Sequence, residues 1–396
     1  MSREEKLLIK FIGLYFFTSS IAGIFLQIYL FKLGGFKAVA QYGLVSLIFL
    51  FIFYIASGYF LKKISQVMMI RIGLLFNAIL YFLIFFLKDN SLSYLFPLGI
   101  LSGIGGGFFW SGFNLSQYIA THEESRNEYF GKQNFFLNLA NASGPLLGGL
   151  IIFVFVYFGN VTLGYSLTFL LVALLLFSLF VLIKDTTKHT GASFTINDII
   201  KHKRSLKWKI VLGQQFLYGL FDVAFSAFSA VLIYLIVKQE VYVGALNTIS
   251  TIIFAVASLV AIGILKKYKH AYFLGALLNS TGLLIFALEQ NIFGVLILVL
   301  FNFSGPVMNI PASKIIYDVI DDEKQDWTRK YHFLVERDSI LGIARILTYS
   351  VLFFLLNSNN NPHVAKVWIF IIPVFPLLIG LLQYYYTILL QKKVQT

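Results

Sequence analysis

The chain alternates between long apolar segments and short polar clusters. Roughly twelve apolar segments, each about 20 residues long, follow one another, and a basic stretch from Lys184 to Lys209 interrupts them after the sixth. A helix of that length can cross about 30 Å of hydrocarbon. The predicted spans, numbered one to twelve, are 8–31, 41–61, 67–88, 94–121, 134–158, 164–183, 209–237, 241–265, 271–288, 292–317, 337–356 and 365–390.

The apolar segments predict helices rather than the strands of a membrane barrel. A barrel strand alternates polar and apolar residues, whereas the segment from Leu167 to Ile183 is almost continuously apolar. A helix also satisfies its own backbone hydrogen bonds inside the bilayer. The predicted fold is therefore an all-α integral membrane protein with twelve transmembrane helices.

The composition excludes a water-soluble domain of this length. Hydrophobic residues make up 58% of the 396 residues and charged residues only 12%. The chain has no cysteine, which excludes disulfides, thiolate metal sites and cysteine nucleophiles. Its six histidines form no metal-ligand pair at helical spacing, so we expect neither a metal site nor a cofactor.

Positive charge lies mainly on one side of the predicted spans. With a cytoplasmic N-terminus, 26 of the 31 Lys and Arg residues fall on the inner side and five on the outer side. Both termini are then cytoplasmic, in a plasma membrane, and the run after Met1–Lys10 is a first span rather than a cleaved signal. The net charge of +13 requires no nucleic-acid partner, because lysines beside anionic lipid account for it.

An internal repeat relates the two halves of the chain at a shift of about 200 residues. The motif Leu-Lys-Lys follows span two at 61–63 and follows span eight at 265–267. The order of such matches predicts a six-helix bundle at 1–184, a cytoplasmic linker at 185–208 and a second bundle at 209–396. A cavity is expected between the bundles near mid-membrane.

Polar clusters on the inner side predict a linker element and a gate. Basic and apolar residues are interspersed over 192–209, which favours an amphipathic helix on the inner leaflet, with a flexible linker as the alternative. Glu123 and Arg126 belong to a charged cluster at the end of span four. We expect this cluster to pair with Lys62 or Lys63 when the cytoplasmic side closes.

In its topology, repeat and central loop, nearly the whole chain resembles the major facilitator superfamily. The family's loop between helices two and three reads Gly-x-x-x-Asp-Arg-x-Gly-Arg-Arg. Only Gly58 and one basic position of that pattern remain here, and the missing Asp removes a partner of the family's charge lock. The resemblance implies a transporter that works by alternating access.

Span five is similar to that of the superfamily's drug/proton antiporters, which reads Gly-x8-Gly-x3-Gly-Pro-x-x-Gly-Gly. The match implies export by proton antiport, although small residues four apart also favour tight helix packing with no bearing on direction. The antiporters' span-four arginine is absent, so proton coupling would need another ionisable group. The matching residues are Gly131, Gly144, Pro145, Gly148 and Gly149, with Ala140 at the remaining position.

Asp222 is the candidate for that ionisable group. It lies 13 residues beyond Lys209, about 20 Å into a helix that begins at the cytoplasmic face. A carboxylate at mid-membrane costs about 2.5–3.5 kcal/mol on insertion scales, so it should face a cavity or a partner. Arg345 in span eleven is the natural counter-ion. The two residues are predicted either to bind the coupling proton or a cationic substrate, or to form a structural ion pair.

Other polar residues interrupt the spans that are expected to line a central cavity. Amides and aromatic rings dominate, which suits a neutral or amphipathic organic solute. Hydrogen bonds between helices explain the same residues equally well. The predicted lining residues are Tyr15, Ser19 and Gln27 in span one, Trp110, Asn114 and Gln117 in span four, Asn138 in span five, Gln215 and Tyr218 in span seven, and Asn302 and Asn309 in span ten.

These features favour a secondary transporter over other membrane proteins. No nucleotide-binding loop of the form Gly-x-x-x-x-Gly-Lys-Ser/Thr is present to power a pump, and no catalytic pair at mid-membrane indicates an enzyme. We expect a monomer that exports a small organic solute by proton antiport. Proton-coupled uptake and a nontransporting sensor of the same fold are the alternatives.

Overall fold

The computed structural model describes residues 2–121, 123–183, 194–201, 204–268, 270–322, 327–356 and 363–394, with positions 123–128, 131, 198, 327–330 and 390–394 described by their backbone alone. Almost all of these residues are helical. The helices are α1 (Arg3–Phe60), α2 (Gln66–Leu87), α3 (Leu95–Ala120), α4 (Glu123–Tyr157), α5 (Val161–Leu182), α6 (Ile196–Lys201), α7 (Leu206–Gly219), α8 (Asp222–Val237), α9 (Glu240–Lys267), α10 (Ala271–Leu288), α11 (Ile292–Phe301), α12 (Gly305–Asp321), α13 (Trp327–Leu355), α14 (His363–Ile371) and α15 (Val374–Val394).

Ten helical stretches of the described residues are long and apolar enough to cross a membrane. Two of them, Arg3–Phe60 and Gln66–Ala120, each contain two predicted spans, so all twelve predicted crossings are helical. The predicted all-α membrane fold is confirmed. Spans one and two lie in α1, three in α2, four in α3, five in α4, six in α5, seven in α7 and α8, eight in α9, nine in α10, ten in α11 and α12, eleven in α13, and twelve in α14 and α15.

Two glycines change the chain direction between spans one and two. Gly35 has a φ of 67°, in the region that residues with a Cβ rarely adopt, and the backbone of Gly34 is also non-helical. A Cβ on Gly34 would also approach Leu92 Cδ1 to 2.5 Å. A sharp connection between the two spans therefore depends on this glycine pair.

Apolar side chains cover the outside of the helices, and many polar side chains point inward. Phe354 is 80% exposed and Leu182 is 70% exposed, whereas Gln214 and Thr168 are buried. Such an inverted distribution is expected where lipid rather than water surrounds the protein.

Twelve crossings, as predicted, would place both termini and the linker at the end of the molecule where Tyr54 contacts Asp338, away from the end where Lys32 contacts Glu240. We name this end the linker end and the other the opposite end. Residues 2–183 are the N-terminal half, and residues 204–394 are the C-terminal half. The halves meet where α1 packs against α8 and α13, and where α4 packs against α9. Their division into separate bundles remains a prediction.

The linker differs from the helix that its sequence favours. Its described helix, α6, covers only Ile196–Lys201, and span seven already begins at Leu206. Phe194 and Trp208, which an amphipathic helix would turn toward lipid, are each 1% exposed. Phe194 and Trp208 therefore pack into the protein, against the rings of Tyr331 and Phe333.

Candidate functional site

Span seven is broken partway along its length. Helix α7 ends at Gly219 and α8 begins at Asp222, with a turn between them. A break frees backbone carbonyls, which are costly to leave unpaired in a bilayer. The Thr348 hydroxyl of span eleven donates a hydrogen bond to the Leu220 carbonyl at 3.0 Å. Span eleven thus supports the broken segment.

Asp222 and Arg345, the two predicted coupling residues, are in direct contact. The Arg345 Nε lies 3.1 Å from each carboxylate oxygen, and its Nη2 also donates to Oδ2. The Val223 backbone N–H donates to Asp222 Oδ1 at 2.6 Å. Asp222 is the first residue of α8, where the helix dipole favours a negative charge. The two side chains are 12% and 21% exposed, so a largely buried, hydrogen-bonded ion pair occupies the break.

A cavity of about 220 Å³, which we name the inner cavity, lies beside this pair within the C-terminal half. Spans seven to ten line it with aromatic rings and amides. The predicted residues Tyr218, Asn302 and Asn309 all line this cavity, together with Asp222. Asn302 Nδ2 donates to the Ser250 hydroxyl at 2.9 Å, which ties spans ten and eight.

A second cavity of about 320 Å³, the central cavity, lies between the two halves. Its lining contains amides and hydroxyls and no charged side chain. Gln27, Asn141, Ser226 and Asn247 come from spans one, five, seven and eight. Their side chains make no hydrogen bond to another residue that the structure describes. Four polar groups from both halves are therefore available to one solute.

The ion pair lies between the two cavities. Asp222 lines the inner cavity, while its neighbour Val223 lines the central cavity. Tyr349, one helical turn beyond Arg345, also lines the central cavity, and its hydroxyl donates to the Val223 carbonyl at 3.4 Å. A change at the pair can reach the central cavity through these two neighbours.

Three of the predicted lining residues, Tyr15, Ser19 and Trp110, line neither cavity. The Tyr15 ring stacks on Phe109 with a centroid distance of 3.8 Å, and Trp110 lies edge-on at 6.3 Å. Tyr15, Phe109 and Trp110 form an aromatic cluster inside the N-terminal half.

Four predicted amides also lie outside the cavities. Gln117 donates to Gln133 at 3.0 Å, and Asn138 donates to a carbonyl of its own helix at 2.7 Å. Asn114 donates to side chains of spans two and eleven, and Gln215 lies on α7. Asn114 and Gln117 thus make the hydrogen bonds between helices that were the alternative for such amides, whereas Asn138 bonds within its own helix.

A hydrogen-bond network joins the halves at the linker end, and we name it the linker-end gate. The Tyr54 hydroxyl donates to Asp338, and Asn114 Nδ2 donates to the same carboxylate at 3.1 Å. Arg337, on the same helix as Asp338, donates to that carboxylate at 2.7 and 2.9 Å. A chain of hydroxyls completes the gate and consists of Ser57, Ser111 and Tyr331.

The linker packs beside this gate. Phe194 lies over Gly58, where a Cβ would be 2.6 Å from the ring, and it stacks on His332 at a centroid distance of 5.3 Å. Trp208 Nε1 donates to Glu336 at 2.8 Å. Gly58, predicted as a conformational residue, therefore provides the space in which the linker contacts both halves.

An ion pair joins the halves at the opposite end, and we name it the opposite-end gate. Lys32, just after span one, donates to Glu240, the first residue of α9, which is 6% exposed. The Tyr165 hydroxyl donates to the same carboxylate at 2.8 Å. The Lys32 ammonium also lies 4.9 Å from the Tyr234 ring centroid, within cation–π range.

The span-five glycines form a seam with two other helices. A Cβ on Gly144 or Gly148 would overlap atoms of span one. A Cβ on Gly149 would lie 3.1 Å from a Cα of span eight, and one on Gly244 would overlap the Pro145 carbonyl oxygen. Small residues thus allow span five to approach spans one and eight closely.

The predicted pairing of the inner-side charges remains a prediction. Lys62 and Lys63 are exposed, and neither forms an ion pair with a side chain that the structure describes. The side chains of Glu123 and Arg126 and the surroundings of Gly131 lie outside the described residues.

Several residues of the cavities and gates were not predicted. Asn247 and Thr251 line the central cavity, and Asn279 lines the inner cavity. The four-residue spacing of Asn247 and Thr251, which places them on one helix face, was an available signal. No local pattern distinguishes Glu240 from an ordinary acidic residue at a span boundary.

The sequence matches known proteins across most of its length. The family model described as Major Facilitator Superfamily matches residues 11–326. "Uncharacterized protein YqgE" of Bacillus subtilis (strain 168) is 26% identical over 351 residues, which is 87% of this chain and 80% of that protein. "Uncharacterized protein in sodM 3'region" of Geobacillus stearothermophilus is 29% identical over 174 residues, which is 44% of this chain and 79% of that protein.

Solved structures share the fold at low sequence identity. A bacterial homologue of the iron transporter ferroportin, in an inward-facing state, has a TM-score of 0.68 at 13% identity and covers 98% of this chain and 99% of its own. The nucleoside transporter NupG has a TM-score of 0.67 at 14% identity, with 96% and 99% covered. The E. coli fucose:proton symporter FucP has a TM-score of 0.63 at 16% identity, with 96% and 99% covered.

These likenesses agree with the helical membrane architecture, and the family match extends over most of the chain. The chain belongs to the Major Facilitator Superfamily and is a membrane transporter rather than an enzyme.

Proposed function

We propose that this protein exports a small organic solute by alternating access, with protons moving in the opposite direction. The observation that carries the proposal is the central cavity, with unpaired polar groups from both halves and a buried ion pair beside it. A carrier needs a site that both halves build, because their relative movement must change the access to that site.

The chemistry of the central cavity supports a neutral polar solute. The cavity presents amides and hydroxyls that can both donate and accept hydrogen bonds, and it presents no charged side chain. Its volume of about 320 Å³ is in the range of small-molecule sites. A charged solute would lose its hydration there without gaining a counter-ion, so the cavity disfavours it.

Asp222 and Arg345 are proposed to couple proton binding to this site. A proton on Asp222 would neutralise the carboxylate and weaken its contacts with Arg345 and with the Val223 N–H. Val223 and Tyr349 line the central cavity and lie next to the pair. Protonation would thereby alter the solute site without direct contact between the proton and the solute.

The direction and the membrane orientation rest on sequence features. The glycine and proline pattern of span five supports antiport, and proton-coupled uptake is the competing direction. The excess of Lys and Arg on one side supports cytoplasmic termini in the plasma membrane. We propose a monomer as the transporting unit, since the central cavity is built within one chain.

The test first identifies a solute that binds the protein and then replaces the titratable residue Asp222. Neutral polar solutes, including fucose and nucleosides, are screened for thermal stabilisation of the purified protein. Asp222→Asn should then abolish transport driven by a pH gradient in proteoliposomes, because an amide of similar volume cannot exchange a proton. Binding and exchange of the solute between equal pools should persist. Reversing the gradient distinguishes export from uptake.

Two variants separate coupling from a structural role of the ion pair. Asp322→Asn, an exposed acidic residue at the linker end, is the matched control and should leave gradient-driven transport unchanged. If Asp222→Asn transports at the full rate, the coupling role is removed. Asp222→Asn could instead fail to reach the membrane. If the double variant Asp222→Arg/Arg345→Asp, which swaps the two charges, then restores membrane expression, the pair is structural.

A further inference from the structure

A groove runs along the outside of the C-terminal half between spans eight, nine and ten, and we name it the outer groove. Its volume is about 480 Å³. Val256, Val260 and Leu274 line it and are 57%, 55% and 56% exposed, so the groove opens to the bilayer rather than to the protein interior. It is separate from the two cavities assigned to transport.

The inside of the outer groove is chemically uniform. Aliphatic side chains and one ring line it, and Ser304 is the one polar residue in the lining. The Ser304 hydroxyl already donates to the Phe301 carbonyl at 2.7 Å. The groove therefore offers no free polar group, and its complement is a hydrocarbon chain.

The groove ends beside basic side chains at the linker end. Ile264 and Ala271 line that end of the groove. Lys266 and Lys267 follow Ile264 by two and three residues, and His270 directly precedes Ala271. Both lysines are exposed, and the Lys267 ammonium lies 5.3 Å from the ring centroid of the exposed Tyr268. An aromatic residue beside lysines is typical of the headgroup level of a bilayer.

Span ten adds a further positive charge on the same side. Lys314 follows the lining residue Val307 by seven residues, which places the two on one face of the helix. Lys314 is exposed, and neither it nor the two lysines after span eight forms an ion pair with a described side chain. Unpaired positive charge and hydrocarbon-complementary surface thus meet at one level of the molecule.

We propose that the outer groove binds one anionic phospholipid of the surrounding bilayer. One acyl chain lies against Val256 and Val260, and the phosphate lies beside Lys266 and Lys267. Charge complementarity selects an anionic headgroup, because each lysine near an anionic lipid adds about 1 kcal/mol, which is about fivefold in affinity. Span eight packs against span five on another face, so this lipid contacts a helix that also builds the central cavity.

The test measures lipid retention by native mass spectrometry of the full chain. Dioleoyl phosphatidylglycerol and dioleoyl phosphatidylcholine have the same acyl chains and differ in headgroup charge. Because each of the two lysines adds about fivefold, we expect one phosphatidylglycerol to be retained about 25-fold more strongly than phosphatidylcholine. The double variant Lys266→Gln/Lys267→Gln should lose this preference, and Val256→Trp should lower the retention of both lipids by filling the groove.

The control uses the related motif of the N-terminal half. Lys62 and Lys63 hold the equivalent place after span two and flank none of the three cavities, so Lys62→Gln/Lys63→Gln should leave the preference intact. Equal retention of both lipids by the unchanged protein would overturn the proposal. The proposal would also be overturned if Lys62→Gln/Lys63→Gln lost the preference for phosphatidylglycerol as fully as Lys266→Gln/Lys267→Gln. If the unchanged protein forms a dimer and Val256→Trp disrupts that dimer, the groove binds a second copy of the chain and the lipid proposal is overturned.

Discussion

The two gates that the described residues form, one at each end of the molecule, use different chemistry. At the opposite end, each half contributes one charge, because Lys32 belongs to the N-terminal half and Glu240 to the C-terminal half. At the linker end, Asp338 and Arg337 both belong to the C-terminal half, and the N-terminal half contributes neutral donors such as Tyr54. Between these two gates, as the described residues form them, the opposite-end gate alone depends on attraction between charges of different halves.

This difference predicts which end opens more easily. When the two halves separate at the opposite end, Lys32 and Glu240 each lose their counter-ion and stay unpaired until water solvates them. Separation at the linker-end gate leaves Asp338 still paired with Arg337, and the bonds that the described gate residues lose between the halves come from neutral groups. We therefore expect the linker end to open more readily when no solute or proton gradient biases the protein.

The absence of cysteine makes this expectation directly measurable. Ser226 lines the central cavity and differs from cysteine by one atom, so Ser226→Cys supplies one reactive thiol in the whole chain. A membrane-impermeant maleimide is added on either side of sealed vesicles. The labelling rate from each side then reports the fraction of molecules open at that end.

The largest expected change comes from Glu240→Gln. It removes the charge attraction of the opposite-end gate and leaves Lys32 with only tyrosine contacts. Because the Lys32 side chain is 29% exposed, we expect a loss of about 1–2 kcal/mol, less than for a fully buried pair. Labelling of Ser226→Cys from the opposite end should rise about 5- to 30-fold.

A double-mutant cycle tests whether the ion pair causes that change. Lys32→Gln should act in the same direction, and Lys32→Gln with Glu240→Gln should have less effect than the sum of the two, because they remove the same interaction. Unchanged labelling in Glu240→Gln would show that the pair does not hold the opposite end closed.

The sequence predicted what depends on local composition. The twelve spans follow from summed hydropathy, and the pairing of Asp222 with Arg345 follows from the cost of lone charges in a bilayer. The close contact of span five with span one at Gly144 and Gly148 also follows from the local sequence, because small residues at a four-residue spacing let two helices approach closely.

What the sequence could not predict depends on which helices meet. An asparagine in an apolar run has the same local pattern whether it faces a cavity, as Asn247 does, or bonds within its own helix, as Asn138 does. The Tyr54–Asp338 contact joins residues that are 284 positions apart. Tertiary packing alone decides such contacts.

The linker-end gate provides a smaller expected change. Tyr54→Phe keeps the ring and removes the hydroxyl that donates to Asp338. Because Asp338 keeps Arg337 and Asn114, we expect a loss of about 1 kcal/mol and a roughly fivefold rise in labelling from the linker side. Labelling from the opposite side should not rise. A rise on both sides would mean that the variant loosens the whole bundle rather than one gate.

Lys37→Gln should have the smallest effect. It tests whether the Lys32–Glu240 ion pair dominates the closure of the opposite end. The ammonium of Lys37, just before span two, lies 5.7 Å from the Phe353 ring centroid of span eleven, a cation–π contact between the halves. Such contacts contribute about 0.5–1 kcal/mol at exposed sites, so labelling from the opposite side should rise only about two- to fivefold. Because Lys37 gives up no carboxylate partner, its loss leaves no unpaired acid. An effect as large as that of Glu240→Gln would mean that closure is spread over many contacts, and the contrast between the two ends would then not rest on charge.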